Sequence, residues 1–463
     1  MDTYGLLGYP LGHSFSKNYF NEKFEGECIQ AEYKNFEIPD IDDFPEVLMG
    51  NRDLKGFNVT IPYKQKIIPF LDELSEEARE IGAVNVVRVT RRSNGNFHLK
   101  GYNADYLGFM NSIAPLLRPH HKKALILGTG GASKAIHYTL HKKLGLETVF
   151  VSRYQRPGTV SYKDLNAEAV AEYEVIVNCT PVGRYPDLGG SPLAENKVSV
   201  RMFSDLELAI DLIYNPYRTK FLQDAKRLTR CNTKSGMDMM IVQAIDSLNI
   251  WCDRETDPED TELMLRKIKR KLLESQLNVV AIGLPGSGKT TIFRRYAYEL
   301  GRRFIDIDEE TEELMGLPAA EVLSDYGLGE EYIRAMEHEA VKKAAATRGT
   351  VIATGGSTML NPLNRDLLKA NGILIYVKRP LEMLNIKGKP LSVNIDMTKV
   401  FNDRDRIYRR TADMVLLNSR IFGEIKARTG EGNSYNYELK GFVYFIARKV
   451  QKYLNELAAD IWT

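Results

Sequence analysis

The sequence predicts an α/β protein built on parallel sheets, and three observations lead to this fold class. Short apolar segments alternate with helical patterns along the whole chain, which is typical of strand–helix–strand units. Two segments, residues 124–127 and 279–282, are wholly apolar and predict buried strands. Each leads into a glycine-rich turn and a helical pattern, the arrangement that forms anion sites at helix N-termini.

Composition limits the classes of protein that fit. The chain has 463 residues, which suggests two to four domains at about 150 residues each. Its 63 Lys and Arg nearly balance 61 Asp and Glu, so we expect neither nucleic acid nor an anionic membrane as a partner. No apolar stretch has the length of a membrane span, and the N-terminus lacks a signal-peptide pattern. We therefore expect a cytoplasmic protein that acts on small molecules.

Cysteine spacing gives a further exclusion. The four cysteines are scattered without a Cys-x-x-Cys pair, and this indicates neither a disulfide framework nor a zinc site.

The first block of elements covers residues 1–105. Strands are predicted at 4–7, 56–61 and 83–89, and helices at 16–24 and 67–80. The second block, residues 106–235, has predicted strands at 124–127, 149–151, 175–177 and 209–212 and a helix at 134–143. The third block, residues 277–463, begins with the strand at 279–282. A helix from Pro258 to about residue 274, opened by Asp257, joins the second and third blocks. Residues 427–436 are predicted to be a loop.

The glycine turn of the second block predicts a dinucleotide site. Glycines let the backbone approach a pyrophosphate, which the helix N-terminus then binds. The predicted contacts are Gly128, Gly130, Gly131, Ala132 and Ser133. The next strand ends in Ser152, Arg153 and Arg156, where an NAD enzyme usually carries an acid for the ribose. Because arginines bind a 2′-phosphate that an acid would repel, we infer NADP(H).

The third block carries a P-loop, GLPGSGKT, at residues 283–290. Backbone N–H groups of such a loop cradle phosphates, Lys289 reaches the β- and γ-phosphates, and Thr290 binds Mg²⁺. ATP is therefore the predicted nucleotide. The predicted contacts are Gly283, Gly286, Ser287, Gly288, Lys289, Thr290 and Thr291.

Residues 1–273 resemble the shikimate dehydrogenase family. The motifs that carry the resemblance stand in family order: GYPLGHSFS (8–16), GFNVTIPYK (56–64), GAVN (82–85), GYNAD (101–105), GTGGAS (128–133), DLIYNP (211–216) and the segment from Gly236 to Ala244. The resemblance implies a substrate domain at 1–105, completed by helices at about 236–273, and a Rossmann NADP-binding domain at 106–235.

The same resemblance implies the site residues. Lys64 and Asp105 would form the catalytic pair, and an ammonium suits the negative charge that builds on oxygen when a ketone is reduced. Ser14 and Ser16 would hold the substrate carboxylate. The remaining substrate contacts would be Asn58, Thr60, Asn85, Tyr214 and Gln243.

Residues 277–460 resemble the shikimate kinase family, which has a nucleoside monophosphate kinase-like fold with a parallel sheet. The motifs are the P-loop, FIDIDE (304–309), YIRAME (332–337), TGGS (354–357) and RDRIY (404–408). The resemblance implies that Asp306 assists Mg²⁺ and that Asp308 takes a substrate hydroxyl. Arg334 and Arg404 would clamp the substrate carboxylate, a planar pairing that guanidinium groups favour. Gly355 and Gly356 would line the pocket.

The kinase-like block departs from its family at two places. Ser357 stands where a third glycine is usual, and Lys389 stands where the lid normally has arginine. The lid segment NIKGKPL (385–391) also looks short. Lysine supplies charge at a phosphate clamp but not the planar fork of arginine.

The sequence thus predicts a bifunctional enzyme that reduces 3-dehydroshikimate with NADPH and phosphorylates the resulting shikimate with ATP. One alternative keeps the dehydrogenase and makes the kinase-like half a nucleotide-binding regulatory or scaffold module. A second alternative is a quinate/shikimate oxidoreductase that works in the oxidative direction. Oligomeric state and channelling of shikimate stay open.

Overall fold

The computed structural model describes residues 1–12, 15–93, 95–154, 156–324, 329–384, 397–419 and 432–460. Its strands form three sheets, which follow one another along the chain. No helix within these ranges is both long and apolar enough to cross a lipid bilayer.

The first sheet has six strands in the order β2-β1-β3-β5-β6-β4. The strands are β1 (Asp2–Gly8), β2 (Ala31–Glu37), β3 (Leu54–Val59), β4 (Glu73–Leu74), β5 (Val86–Arg91) and β6 (Phe97–Tyr102). Strand β1 pairs in parallel with β2 and β3, whereas β5 is antiparallel to both β3 and β6. The α/β class is confirmed, and the two antiparallel pairings of β5 are a feature that the alternation of elements does not reveal.

The second sheet is parallel throughout, in the order β12-β11-β10-β7-β8-β9. Its strands are β7 (Lys123–Leu127), β8 (Glu147–Ser152), β9 (Thr159–Ser161), β10 (Val175–Asn178), β11 (Leu208–Asp211) and β12 (Asn232–Ser235). Leu127, Asn178 and Asp211 are paired in register, so the carboxyl ends of β7, β10 and β11 lie level at one edge. Ligands of open parallel sheets bind outside this edge.

The third sheet is also parallel, in the order β14-β15-β13-β16-β17. Its strands are β13 (Asn278–Ile282), β14 (Phe304–Asp306), β15 (Val351–Ala353), β16 (Gly372–Lys378) and β17 (Met414–Leu417). Every residue of β13 and β15 is buried, as expected for parallel strands covered on both faces.

Helices cover the sheets. They are α1 (Phe15–Gly26), α2 (Phe44–Gly50), α3 (Glu76–Ile81), α4 (Asp105–Ile113), α5 (Gly131–His137), α6 (Ala167–Val170), α7 (Pro192–Glu195), α8 (Lys220–Thr229), α9 (Met237–Cys252), α10 (Pro258–Gln276), α11 (Lys289–Glu299), α12 (Ile307–Met315), α13 (Ala319–Ser324), α14 (Gly329–Ala345), α15 (Pro362–Ala370), α16 (Met397–Thr411) and α17 (Gly432–Ala459). A π-helical turn, Tyr138–Lys143, extends α5 over the predicted length. Helix α10 confirms the predicted junction helix.

The single helix predicted at 67–80 is wrong. Instead, a 3-10 turn (Ile68–Phe70) is followed by β4 and then by α3. Pro69 interrupts the helical pattern, since it lacks the N–H that a longer helix needs. Ser75 starts a new helix, because its hydroxyl accepts a hydrogen bond from the Ala78 N–H at 3.2 Å.

The predicted loop at 427–436 is also partly wrong. Residues 427–431 lie outside the described residues, and α17 begins at Gly432.

One hydrophobic core joins the two halves of the chain. Met237, Ile241 and Ile245 of α9 pack in the same cluster as Val279 and Ala281 of β13, together with side chains of α10, α11 and α17. One face of the junction helix α10, with Leu265 and Leu273, is buried in this core, so the helix is not an extended linker.

Candidate functional sites

The predicted catalytic pair Lys64 and Asp105 is in contact. The Lys64 Nζ lies 2.7 Å from Asp105 Oδ2, and the two side chains are 15% and 1% exposed. Asn85 Nδ2 donates to the other carboxylate oxygen at 2.8 Å. Both oxygens of Asp105 thus have donors, and the carboxylate is held in one orientation beside the lysine.

Backbone contacts fix the geometry of this pair. The Asn85 side-chain oxygen accepts a hydrogen bond from the Ala104 N–H at 2.7 Å, and Asn103 Oδ1 accepts one from the Asp105 N–H at 3.0 Å. The Val84 N–H donates to the Lys64 carbonyl at 2.7 Å. The strand predicted at 83–89 begins three residues later than expected, at Val86. The residues just before it, Val84 and Asn85, instead make the hydrogen bonds to Lys64, Ala104 and Asp105.

A hydrogen-bonded chain of polar side chains lies beside the Lys64–Asp105 pair. Tyr33 OH donates to Asn58 Oδ1 at 2.8 Å, and Asn58 Nδ2 donates to Ser247 Oγ at 2.7 Å. Ser16 hydrogen-bonds to Tyr33, and burial raises the pKa of that phenol well above its usual value. Thr60 directly follows β3, next to Gly8 at the end of β1. Ser14 lies outside the described residues.

Sequence reasoning missed Tyr33 and Ser247. Ser247 is four residues after Gln243, and its hydroxyl donates to the Gln243 carbonyl at 2.8 Å. The i,i+4 spacing on one helix face was a signal that could have found it. Tyr33 lies in β2, and no local pattern marks it.

Gln243 and Tyr214 occupy different surroundings. Gln243 is partly buried on α9, where its backbone N lies 3.4 Å from the position that a Cβ on Gly108 of α4 would take. The Gln243 backbone therefore lies against α4, the helix that begins at Asp105. Tyr214 follows β11 and packs against the core shared by α9 and the third sheet. Burial raises the pKa of Tyr214.

The glycine turn of the second sheet meets Lys64. Gly128 has φ +106°, a conformation that favours glycine. A Cβ on Gly131 would lie 3.1 Å from Lys64 Cβ, so any side chain here would crowd the lysine. Gly130 is the N-cap of α5, and buried Ser133 in its first turn donates to the Gly130 carbonyl at 2.6 Å. Ala132 lies between them, and the turn fits the pyrophosphate of a dinucleotide.

The segment after β8 carries the two predicted arginines. Arg156 Nη1 donates to Thr129 Oγ1 of the glycine turn at 3.0 Å. Arg153 is exposed, with its guanidinium carbon 5.9 Å from the centre of the Tyr154 ring. Ser152 is buried, and its hydroxyl accepts a hydrogen bond from the Tyr154 N–H at 3.2 Å. Two cationic groups beside the turn suit a ribose 2′-phosphate.

The P-loop connects β13 to α11. Gly283, Gly286 and Gly288 have φ values of +144°, +73° and +95°. Lys289 Nζ donates to the carbonyls of Gly283 and Leu284 at 2.9 Å each, so it lies within the loop. The hydroxyl of Ser287 is buried, whereas Thr291 is exposed. The loop conformation suits a phosphate cradle.

Oxygen ligands for a hard cation lie together beside this loop. Thr290 Oγ1 donates to Asp306 Oδ2 at 2.8 Å, and Asp306 is buried at the end of β14. Burial raises the pKa of Asp306. A hydroxyl and a carboxylate in contact next to a phosphate-binding loop fit Mg²⁺.

The predicted acceptor pocket is assembled from three further segments. A Cβ on Gly355 would lie 2.4 Å from Asp308 Oδ1, so a side chain here would displace the Asp308 carboxylate. Arg404 Nη1 donates to the Gly356 carbonyl at 2.8 Å. Arg334 Nη1 donates to Ser357 Oγ. The serine that departs from the family pattern therefore contacts the predicted carboxylate clamp.

Two polar residues of this half were missed. Glu337 is buried, accepts a hydrogen bond from Thr358 Oγ1 at 2.7 Å, and pairs with Arg334 at 3.3 Å. Its i,i+3 spacing from Arg334 was a usable signal. Burial raises the pKa of Glu337. Asn418, after β17, donates to the Ser287 carbonyl at 2.8 Å. The predicted lid residue Lys389 lies outside the described residues.

A cluster of His120, His121 and Glu207 has the composition of a metal site. His121 Nδ1 accepts a hydrogen bond from the Arg118 N–H at 3.1 Å, so the proton of this ring is on Nε2. Nε2 lies 3.1 Å from Glu207 Oε2, to which it donates. A protonated nitrogen does not ligate a metal, and the cluster is better explained by hydrogen bonding.

Comparisons with known proteins agree with the two halves. The family model for the shikimate dehydrogenase substrate-binding domain matches residues 6–87, and the shikimate kinase family model matches residues 285–423. The NADP(+)-dependent shikimate dehydrogenase of Caldicellulosiruptor saccharolyticus is 35% identical over 266 residues, covering 54% of this chain and 91% of that protein. The corresponding enzyme of Halothermothrix orenii is 36% identical, covering 53% and 89%. The crystal structure of shikimate dehydrogenase 1 from Peptoclostridium difficile is 35% identical and covers 59% of this chain and all of that chain, with a TM-score of 0.49.

Proposed function

Because the chain belongs to the shikimate dehydrogenase family and carries a shikimate kinase domain, we propose that it catalyses two consecutive reactions. The first reduces 3-dehydroshikimate to shikimate with NADPH, and the second transfers the ATP γ-phosphoryl group to the 3-hydroxyl of shikimate. The observation that best supports this proposal is the 2.7 Å ion pair of Lys64 with Asp105, in which Lys64 also lies against Gly131 of the glycine turn. The same chain carries a P-loop and the residues proposed for the acceptor pocket.

The first reaction uses Lys64 as the acid. NADPH, when bound at the turn from Gly128 to Ser133, supplies hydride. Lys64 lies where it can stabilise the negative charge that develops on the carbonyl oxygen and then donate a proton to it. Asp105 orients Lys64 through their ion pair of 2.7 Å. Gly131 allows the turn to approach the lysine, so the protein brings the two reaction partners to one place.

Substrate orientation comes from the surrounding polar groups. Ser14 and Ser16 are the proposed carboxylate contacts. Hydroxyl contacts are assigned to Asn58, Thr60, Asn85, Tyr214 and Gln243. The hydrogen bonds of Asn58 with Tyr33 and Ser247 hold its amide in one orientation, which supports a role in selecting the ring position of the hydroxyls.

The second reaction is mainly one of positioning and charge stabilisation. Lys289 and the loop N–H groups would hold the phosphates, and Thr290 with Asp306 would hold Mg²⁺. Asp308 orients the attacking hydroxyl, and Arg334 and Arg404 hold the acceptor carboxylate. A regulatory or scaffold module would have no need for this acceptor pocket, so the catalytic function is favoured.

The proposed function divides the chain into three domains. We assign residues 1–105 with 236–273 to substrate binding, 106–235 to NADP binding and 277–463 to the kinase. A cytoplasmic location is part of the same proposal, and cell fractionation would test it.

The direct test is to supply purified protein with 3-dehydroshikimate, NADPH, ATP and Mg²⁺ and to follow both products by mass spectrometry. We expect shikimate and then shikimate 3-phosphate. Lys64→Ala should stop the first reaction only, and Lys289→Ala the second only. Wild-type protein that makes shikimate but no phosphate ester would replace the kinase assignment with the scaffold alternative.

A further inference from the structure

Two loops at the edge of the second sheet flank its predicted nucleotide cleft. The β10 loop comprises residues 179–191, and the β11 loop comprises residues 212–219. The β10 loop starts beside the glycine turn, since a Cβ on Gly128 would lie 3.2 Å from Thr180 Cγ2. The two loops are joined where the Tyr185 N–H donates to the Asn215 carbonyl at 3.0 Å.

The base of the β11 loop is held by its own domain. Thr219 Oγ1 donates to Asp211 Oδ2 at 2.6 Å, and the Ile213 N–H donates to Asp211 Oδ1 at 3.0 Å. Asn178 Nδ2 also donates to Asp211 Oδ1. These bonds close the two ends of the loop, and the same domain adds a hydrogen bond from Gln223 Nε2 to the Arg218 carbonyl at 3.0 Å. The middle of the loop takes further support from outside this domain.

The kinase half supplies that support. Asn371, which is fully buried just before β16, donates through Nδ2 to Asn215 Oδ1 at 2.9 Å. Its Oδ1 accepts a hydrogen bond from the Tyr217 N–H, also at 2.9 Å. The Asn371 carbonyl accepts from the N–H of Asn278, the first residue of β13, at 2.7 Å. One side chain of the kinase half therefore binds the β11 loop on both sides of Pro216.

Arg218 adds an ionic contact across the same boundary. Its guanidinium donates to the Gly372 carbonyl at 2.9 Å and to Tyr453 OH at 3.0 Å, and it pairs with Asp413 at 3.2 Å. The planar fork of arginine suits several acceptors at once. Because Arg218 is mostly buried, these partners are needed to offset the loss of water around its charge.

The β10 loop also contacts the kinase half, through one apolar contact and one cation–π contact. Leu188 is 4% exposed and packs in the core that contains Val280 and Ile282 of β13. The Tyr185 ring lies 5.0 Å from the guanidinium carbon of Arg348. Both loops that border the cleft thus rest on the kinase half.

We infer that the kinase half completes the dehydrogenase site, with Asn371 and Arg218 as positioning residues that hold Tyr214 and the two loops at the cleft. This inference rests on the proposed function, since Tyr214 is a proposed substrate contact. Without the support, the loops spend only part of the time in the arrangement that binds substrate. The apparent affinity falls by that fraction, whereas substrate at saturation restores the arrangement.

The test measures dehydrogenase kinetics of the full-length chain. In Asn371→Ala we expect the KM for 3-dehydroshikimate to rise about tenfold, as it would for a loop correctly placed about a tenth of the time, with little change in kcat. Arg218→Lys should have an intermediate KM, because lysine keeps the charge opposite Asp413 but loses the fork. The kinase constants of both variants should equal those of wild type.

The matched control is Arg227→Ala. Arg227 is half-exposed and reaches Asp366 of the kinase half at 3.5 Å, without being part of either loop. Its KM should be unchanged. If Asn371 had a purely structural role, part of the variant protein would be misfolded and inactive. The apparent kcat would then fall, and KM would stay at the wild-type value. That result, or wild-type values of both constants, would overturn the inference.

Two further outcomes are distinguishable. If Asn371→Ala also loses kinase activity, it has misfolded, and Arg218→Lys then decides the matter by the same KM criterion. Wild-type protein with no dehydrogenase activity would instead refute the proposed function itself.

Discussion

At the scale of single residues, Lys64 is the group whose loss should show most directly in catalysis. A positioned acid contributes about 100- to 10,000-fold to rate, so Lys64→Ala should lower dehydrogenase kcat by about that factor. NADPH affinity and kinase activity should change little, because the ammonium acts on charge that develops in the transition state. Lys66→Ala, an exposed neighbour, is the control. A normal kcat for folded Lys64→Ala would remove Lys64 from the mechanism.

Arg153 provides a test of the choice of cofactor. Losing one charge-assisted contact to a 2′-phosphate costs about 1.5 to 3 kcal/mol, so Arg153→Ala should weaken NADPH binding by about 10- to 150-fold. NADH lacks that phosphate, and its affinity should stay the same. Fluorescence titration with both cofactors measures this, with exposed Arg201→Ala as control. An equal loss for both cofactors would show that Arg153 has a structural role instead.

The buried carboxyl of Asp246 should make the free energy of unfolding depend on pH. Burial raises the pKa of its carboxyl to about 7, and within the described residues its Oδ2 has no hydrogen-bond partner. The unfolded chain binds this proton with a pKa near 3.9, so ionisation destabilises the native state increasingly from about pH 4 to pH 7. Asp246→Asn should therefore gain more stability at pH 8 than at pH 5, as measured by urea unfolding.

The control for that pH effect is Asp253→Asn. Asp253 is exposed, and its hydrogen bond with Arg88 lowers its pKa, so the variant should lose a little stability at both pH values. If the gain of Asp246→Asn were equal at pH 5 and pH 8, its carboxyl would not be titrating as proposed.

At the scale of elements, the junction helix α10 is held by a buried ion cluster. Asp238 of α9 lies 2.9 Å from Lys269 of α10 and 2.7 Å from Lys234 of β12. The Lys269 ammonium also donates to the Asp460 carbonyl, just past α17, at 2.8 Å. Asp238→Ala leaves two buried ammonium groups without their carboxylate and should lower the free energy of unfolding by about 3 to 5 kcal/mol.

Urea unfolding of the full chain measures that loss. Glu262→Ala removes an exposed ion pair with Arg266 on the same helix and should cost no more than about 0.5 kcal/mol. Similar values for the two variants would mean that the buried cluster does not stabilise the junction.

Elements with a strong local pattern were predictable, and those fixed by distant contacts were not. The buried strands β7 and β13 with their glycine turns, and the capped helix α10, need only nearby residues to specify them. The segment 67–80 failed because Pro69 and the Ser75 cap override its helical periodicity. Site residues within motifs came together as predicted at Lys64 and Asp105. Asn371 could not be found, since its role depends on Asn215, which is 156 residues away in the chain.

At the scale of the whole molecule, the shared core predicts how the protein unfolds. Side chains of α9 and β13 pack in one cluster, to which α10 contributes Leu265 and Leu273 from its buried face. Neither half can lose its structure without exposing apolar surface of the other. We therefore expect one cooperative transition in scanning calorimetry, although proteins with several domains commonly show more than one.

Nucleotide binding to the kinase half offers a second test of whether the two halves unfold together. ADP with Mg²⁺ at 100 times its Kd stabilises the half that binds it by about 2.7 kcal/mol. If the halves unfold together, hydrogen exchange in globally protected peptides of β7 and of β13 should slow by the same factor. Lys289→Ala, which should not bind the nucleotide, is the control. Slower exchange in β13 alone, or a second calorimetric transition that ADP does not shift, would show that the halves unfold separately.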